Sequence, residues 1–241
     1  MATFVLVHGA WYGGWCWKRV VTLLRQAGHT VFAPTLTGLG ERAHLMHLMN
    51  EAIDLGTHIQ DVIGVLHWEE LSDVVLCGHS YGGIVISGVA DRVPERLRTL
   101  VYLDAFVPED GQCMMDFLPP DIIAHLRDEA KTKGKGFRIR PPSAEEFSNI
   151  VNTQDQAWVH RQCVDHPLKT YEQRLHFTGA WKQVPKRVYI YASGEGPESL
   201  YRPFFERFQK DPTWHAVSMS CRHDMMIDMP QELTGILIDS V

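Results

Sequence analysis

The chain has 241 residues, of which 45% are hydrophobic and 22% charged, values that fit one folded domain with a full core and exclude long disorder or a fibrous repeat. Its 23 Lys and Arg against 29 Asp and Glu give a net charge of −6, mixed along the whole length, so a clustered basic footprint for nucleic acid is absent. Five widely spaced cysteines, Cys16, Cys77, Cys113, Cys163 and Cys221, form no C-x-x-C pair and suit free thiols in a reducing compartment.

The first apolar run, residues 4–7, ends at His8-Gly9 and is too short for a signal peptide or a membrane span, which points to a soluble, cytoplasmic protein. Comparable runs recur at 31–33, 74–77, 100–103, 188–191 and 216–219. They are continuous rather than alternating, as expected for strands buried on both faces. Between them, residues 17–27 read as a helix closed by Gly28, and Thr57 is placed to cap a second helix that runs to about His67. A third helix follows Ser80, and 199–208 and 231–238 have helical character. Strand and helix alternate, which implies a parallel α/β sheet in a single domain spanning 1–241.

Residues 108–181 break this rhythm. No strand-like run occurs there, only amphipathic pieces at 121–131 and 144–151, interrupted by Pro119-Pro120, Gly134 to Gly136 and Pro141-Pro142. The expectation is a core of 1–107 and 182–241 with a helical lid over the carboxyl edge of the sheet, where open α/β sheets bind ligands.

Gly78-His79-Ser80-Tyr81-Gly82 lies directly between the strand at 74–77 and the helical stretch that begins at Gly83. A G-x-S-x-G turn in that context places its serine on a tight elbow, with glycines where side chains would strike the crossing backbone. The serine then sits at a helix N-terminus, where N–H groups favour developing negative charge. Ser80 is therefore the candidate nucleophile. Its base is sought among 13 histidines, and the chain order serine, acid, histidine favours His223, in the loop after the strand at 216–219. His215, at the start of that strand, is the rival.

His8-Gly9-Ala10-Trp11, Gly14-Trp15-Cys16-Trp17, the elbow, Ala105-Phe106-Val107-Pro108, and His223 leading to Pro230 together resemble the α/β-hydrolase fold, and within it the small methylesterase and hydroxynitrile lyase group. The resemblance covers nearly the whole chain and is weakest in the lid. It implies an oxyanion hole made by the N–H groups of Ala10 and Tyr81, where one donor is worth on the order of 3 kcal/mol. It also separates the two branches. The lyases carry a threonine one residue before the oxyanion position and a lysine after the histidine, where this chain has Gly9 and Asp224; a carboxylate there would repel cyanide, so ester hydrolysis is favoured.

For the acid, the family position in the loop after the penultimate strand offers Glu195, whereas Asp104 ends the strand at 100–103. The cost of an unpartnered buried carboxylate favours Asp104, with Glu195 retained as its rival. His8 reads as support for the oxyanion loop, and His44-x-x-His47 as a surface or lid-facing pair rather than a metal site. Neither asks for a cofactor. A small or medium hydrophobic carboxylic ester is the expected substrate, aryl or alkyl, with lactones and amides as extensions. The candidate apolar lining is Trp11, Tyr12, Tyr81, Phe106, Met114, Met115, Phe117, Trp158 and Trp181. C–C bond cleavage and a non-catalytic ligand-binding scaffold are the competing readings, and pairing into a homodimer is left open.

Overall fold

A computed structural model describes residues 1–49, 52–143, 150–196 and 198–241, with Glu195 described in its backbone only. The elements run β1 (Thr3–Val7), α1 (Lys18–Gln26), β2 (Thr30–Phe32), α2 (His44–Met49), α3 (Leu55–Trp68), β3 (Val74–His79), α4 (Gly82–Arg92) and β4 (Leu97–Leu103). There follow α5 (Pro120–Thr132), β5 (Arg138–Ile139), α6 (Thr153–Gln162), β6 (His166–Pro167) and α7 (Lys169–Glu172). The chain closes with β7 (Lys186–Ala192), α8 (Arg202–Phe208), β8 (His215–Met219), α9 (Met225–Asp228) and α10 (Pro230–Asp239).

Six strands form one sheet in the order β2-β1-β3-β4-β7-β8, each pairing parallel with its neighbour. The six continuous apolar runs of the sequence are these six strands. Their side chains divide by the two-residue period of a strand into two cores, one on each face. Val5, Val7, Val74, Leu76, Leu100, Tyr102 and Tyr189 enter one core with Ile59 and Val62 of α3 and Ile84 and Val85 of α4. Phe4, Leu6, Val75, Cys77, Val101, Leu103 and Ile190 enter the other with Val20 and Leu24 of α1 and Leu233 and Leu237 of α10. Burial on both faces is why the runs read as continuous in the sequence.

Two boundaries differ from the sequence expectation. Helix α3 starts earlier, because Asp54 is the cap: its Oδ1 accepts the Thr57 N–H at 2.9 Å, and Thr57 Oγ1 reciprocates toward the Asp54 N–H at 3.4 Å. Thr57 is thus the third helical residue of a capping box. In the segment between β4 and β7, two antiparallel pairs, Arg138 with Pro167 and Ile139 with His166, join β5 to β6 where no strand was expected. Strands of two residues are too short to show a period. The amphipathic piece at 144–151 falls mostly outside the described residues. Helix α6, which follows it, is capped by Asn152, whose side chain accepts the N–H groups of Gln154 and Asp155 at 2.9 and 3.1 Å.

Among the described residues no helix is long and apolar enough to cross a membrane. His44 and His47 are both exposed on α2, and His215 is exposed at the start of β8.

Candidate active site

Strand β3 ends at His79 and α4 begins at Gly82, so Ser80 and Tyr81 make the whole turn between them. Ser80 holds φ at 54°, a left-handed conformation that costs a non-glycine residue about 1–3 kcal/mol and must be imposed by its surroundings. The imposition is visible in the packing. A Cβ on Gly78 would lie 2.5 Å from the Gly82 carbonyl oxygen, one on Gly82 would lie 2.8 Å from the Val7 and His8 oxygens, and one on Gly83 would lie 2.4 Å from the Phe106 oxygen. The elbow is pressed between the end of β1 and the loop after β4. Hydrogen bonds fix it there: the Ser80 N–H donates to Leu103 O at 3.2 Å, and Ser80 O accepts from Gly83 and Phe106 N–H at 3.0 and 3.3 Å.

Asp104 is the residue directly after β4, with φ at 41° and a fully buried side chain. Its N–H donates to Ile190 O at 2.7 Å, its Oδ1 accepts the Ala192 N–H at 3.1 Å, and its Oδ2 lies 2.6 Å from His223 Nδ1. A carboxylate held this way directs a proton onto Nδ1 and leaves Nε2 as the ring nitrogen with a lone pair. The side chain of Glu195 lies outside the described residues; its backbone belongs to a short turn after β7.

His223 is held through its main chain as well. His79 Nε2–H donates to the His223 carbonyl at 3.1 Å, and the two rings lie 4.4 Å apart. Burial, then the neighbouring His223, pushes the His79 pKa well below the ordinary value, so it stays neutral. The variable position of the G-x-S-x-G turn thus holds His223 in place, a contact the motif alone does not announce.

A second residue the sequence reading missed is Tyr201, just before α8. Its hydroxyl is 3.1 Å from Ser80 Oγ and 3.5 Å from His223 Nε2. Its ring lies nearly parallel to that of His223, at 4.7 Å and 10°, and packs on Phe106 at 4.9 Å. Burial and then the Asp104 charge hold the phenol pKa well above its usual range. A tyrosine at the end of a loop gives no sequence signal for such a contact.

Opposite Ser80 runs the loop after β1. Among the described residues, no acceptor takes the N–H of Ala10 or of Tyr81. The next N–H, that of Trp11, is taken by His166 Nδ1 at 3.3 Å. His8 ties the loop down, with Nε2 accepting the Leu36 N–H at 3.1 Å and Nδ1–H donating to Gly9 O at 2.8 Å. Burial drives its pKa from the ordinary 6.5 to about 3. The Tyr81 side chain points elsewhere, to His58 Nδ1 at 2.9 Å, and does not line the cavity.

The groups meet at one end of a cavity of about 950 Å³ that Trp11, Tyr12, Phe106 and Met114 help to line. Four other expected lining residues lie away from it. Met115 is buried in the core, and Phe117 stacks behind Phe106 at 5.3 Å. Trp158 packs on Trp15 at 5.2 Å beneath Arg19, while Trp181 lies under Arg187 with its main-chain N–H donating to Asp91 Oδ1 at 3.2 Å. An apolar side chain has reason to be buried on either side of a wall, so composition cannot choose between core and cavity. The lining is also more polar than expected, with His125, Glu129, Lys133, Arg140, His160 and Asp165.

Asp224 departs from its expected role too. It is fully buried, burial and then its charge raise the pKa of the Tyr12 phenol, and it lies outside the cavity lining, so it does not face a ligand directly.

A family model described as the alpha/beta hydrolase family matches residues 4–235. The carbendazim hydrolyzing esterase of Nocardioides sp. (strain SG-4G) is 48% identical to this chain, over 97% of each. Methylesterase 10 of Arabidopsis thaliana is 34% identical, over 97% of this chain and 90% of its own. An extracellular alpha/beta-hydrolase from a Paenibacillus species shares the fold at a TM-score of 0.86, with 23% identity over 100% of this chain and 99% of its own. A parallel sheet carrying a serine elbow, matched over nearly its whole length by a family model and by esterases, makes this chain a member of the alpha/beta hydrolase family, on its esterase branch.

Proposed function

We propose that the chain cleaves a small or medium hydrophobic carboxylic ester through an acyl-enzyme on Ser80. The observation that carries this reading is the 2.6 Å contact from Asp104 Oδ2 to His223 Nδ1, which aims Nε2 toward the Ser80 side of the cavity. Ser80 Oγ attacks the ester carbonyl, His223 is the base, and Asp104 holds the imidazole in the required tautomer and stabilises its charged form. The N–H groups of Ala10 and Tyr81 receive the oxyanion. After the alcohol leaves, His223 activates water against the acyl group and Ser80 is regenerated.

The segment 108–181 acts as the lid, a reading supported by Met114, Leu118, Leu126 and Arg140 among the residues that line the cavity. A cavity lined by apolar groups together with charged ones suits a hydrophobic ester that also carries a polar part. Because the relative at 48% identity is a carbendazim hydrolyzing esterase, carbendazim belongs on the substrate panel beside aryl and methyl esters, lactones and a cyanohydrin.

The test is turnover of that panel by the wild-type protein and by Ser80→Ala, with intact mass recorded during turnover of a slow ester. The expected result is an acyl adduct on the wild type and a loss of about 10⁴-fold or more in Ser80→Ala. Ester turnover that survives the substitution overturns the mechanism, and cyanide release without ester cleavage overturns the ester reading.

A further inference from the structure

Trp11 holds φ at 62°, a left-handed conformation that a residue with a side chain keeps only where its surroundings impose it. Among the described residues, the groups that bond to it come from the segment between β4 and β7. The Trp11 N–H donates to His166 Nδ1 at 3.3 Å, its carbonyl accepts the Val164 N–H at 3.1 Å, and its indole N–H donates to Ile139 O at 3.3 Å. Ile139 and His166 face one another in the short pair β5–β6. That pair therefore grips the loop after β1 at the residue next to Ala10.

His166 is the side chain in this grip, and it is fully buried. A backbone N–H can only donate, so Nδ1 is the unprotonated nitrogen and the ring proton sits on Nε2, which donates to Thr170 Oγ1 at 2.8 Å. Burial, and then the proximity of His58 and His8, hold the His166 pKa well below its ordinary value, so the ring stays neutral. The same ring stands edge-on to that of Tyr81, with centroids 4.9 Å apart at 80°. One imidazole thus touches the residue after Ala10 and the side chain of Tyr81.

Resting on the acyl-enzyme reading above, in which the N–H groups of Ala10 and Tyr81 receive the oxyanion, we propose that His166 is a positioning residue that keeps the Ala10 N–H aimed at that oxygen. Two successive peptide planes meet at Ala10. The first carries the Ala10 N–H and is tied at its carbonyl end, where Gly9 O accepts His8 Nδ1–H at 2.8 Å. The second ends in the Trp11 N–H and is tied by His166. Peptide planes turn as units about a shared Cα, so releasing the second lets Trp11 relax from its left-handed φ and draws Ala10 with it. His166 supplies support and no reacting group, which leaves proton transfer between Ser80 and His223 as described.

Two substitutions separate the two ends of the ring. Asparagine carries a carbonyl oxygen where histidine carries Nδ1, so His166→Asn keeps an acceptor for the Trp11 N–H and loses the contact to Thr170. His166→Gln places its polar group where Nε2 stood and leaves the Trp11 N–H without an acceptor. The readouts are kcat and KM for a p-nitrophenyl ester, Ki for a trifluoromethyl ketone, whose adduct on Ser80 carries the oxyanion, and urea denaturation of each variant. For His166→Gln the expected result is a fall of about 10- to 100-fold in kcat and a matching rise in Ki, with KM within about threefold, because a displaced donor costs less than a deleted one. His166→Asn should stay within about fivefold of wild type in kcat and Ki, the size of one weakened neutral hydrogen bond, even where both variants lose equal stability. Equal losses in the two variants, a kcat within about twofold of wild type in both, or a rise in KM with kcat kept overturn the proposal. Should His166→Gln not fold, Thr170→Val removes the acceptor that keeps the ring proton on Nε2; kcat should then fall by about 3- to 10-fold with KM held, and an unmoved kcat counts against the role. Ser80→Ala separates the two readings: if it keeps ester turnover the acyl-enzyme itself fails, whereas an inactive Ser80→Ala beside a fully active His166→Gln removes only the role of His166.

Discussion

The carboxyl end of the sheet and the segment between β4 and β7 are built by different means, and the difference explains where precision resides. At the sheet end, Ser80 and Asp104 both hold positive φ, and each is pinned by main-chain hydrogen bonds to a neighbouring strand. The described part of segment 108–181 packs on the core through Met115, Leu126, Ala130, Ile139, Tyr171 and Leu175 and carries ion pairs at its surface, among them Arg127 with Glu172, Arg140 with Glu129 and Arg174 with Asp116. Backbone strain persists where the surroundings over-determine it, and at Ser80 and Asp104 the doubly buried parallel sheet does so. On the reading proposed above, the reacting groups sit on the sheet and the segment contributes wall.

The largest effect that tests this division is on the acid. Asp104→Asn preserves shape and burial but removes the charge that fixes the His223 tautomer, and kcat should fall by about 10³- to 10⁴-fold. Glu195→Gln should leave kcat within about twofold. Steady-state kinetics of both variants decide the matter, and the reverse pattern would move the acid from the strand end to the loop.

Next comes the elbow itself. A Cβ on Gly83 would lie 2.4 Å from the Phe106 oxygen and 2.8 Å from the Ala105 Cβ, and neither can move without shifting the residues next to Asp104. Gly83→Ala should cost about 3 kcal/mol of stability, at the upper end for overpacking a core, and should lower kcat beyond what unfolding explains. Urea denaturation read beside kcat at low urea measures both. Gly235, whose added Cβ would meet nothing within 4 Å, is the control, and Gly235→Ala should be tolerated.

How much was legible follows the same division. The six strands could be read because burial on both faces leaves continuous apolar runs, and the elbow because steric need leaves glycines at Gly78 and Gly82. Tyr201 could not be read, because its place beside Ser80 depends on a fold contact 121 residues away in sequence. Trp158 and Trp11 look alike in sequence, yet one packs on Trp15 and the other lines the cavity. The pair of β5 and β6 is shorter than any period, and the start of α3 was displaced because Asp54, not Thr57, is the cap.

A third prediction concerns acid stability, and it falls on the sheet end. Burial lowers the pKa of His8 to about 3 and of His58 to about 4, from 6.5. The unfolded chain therefore binds these protons first, so the stability contributed by keeping both rings neutral is full above pH 6.5 and is lost as pH falls from 6.5 toward 4 and 3. The slope is at most about 1.4 kcal/mol per pH unit for each ring. Thermal melts from pH 7 to pH 4 should show falling Tm, with His8→Gln flattening the curve. A Tm that is constant over that range would contradict neutral, buried rings.

The smallest expected effect lies in the insertion. Arg140 and Glu129 pair at 2.9 Å with side chains 47% and 12% exposed, and both line the cavity. Solvent screens such a pair, so Arg140→Ala should cost no more than about 1 kcal/mol of stability, a Tm shift of about 2–4 °C for a chain of this size. The same change leaves Glu129 without its partner at the cavity wall, where a ligand must pass or rest. KM should therefore move by more than kcat, and Glu129→Gln in the Arg140→Ala background should bring KM back toward wild type. If kcat falls by orders of magnitude while KM holds, the insertion carries reacting groups, and the division between a sheet that reacts and a segment that encloses is wrong.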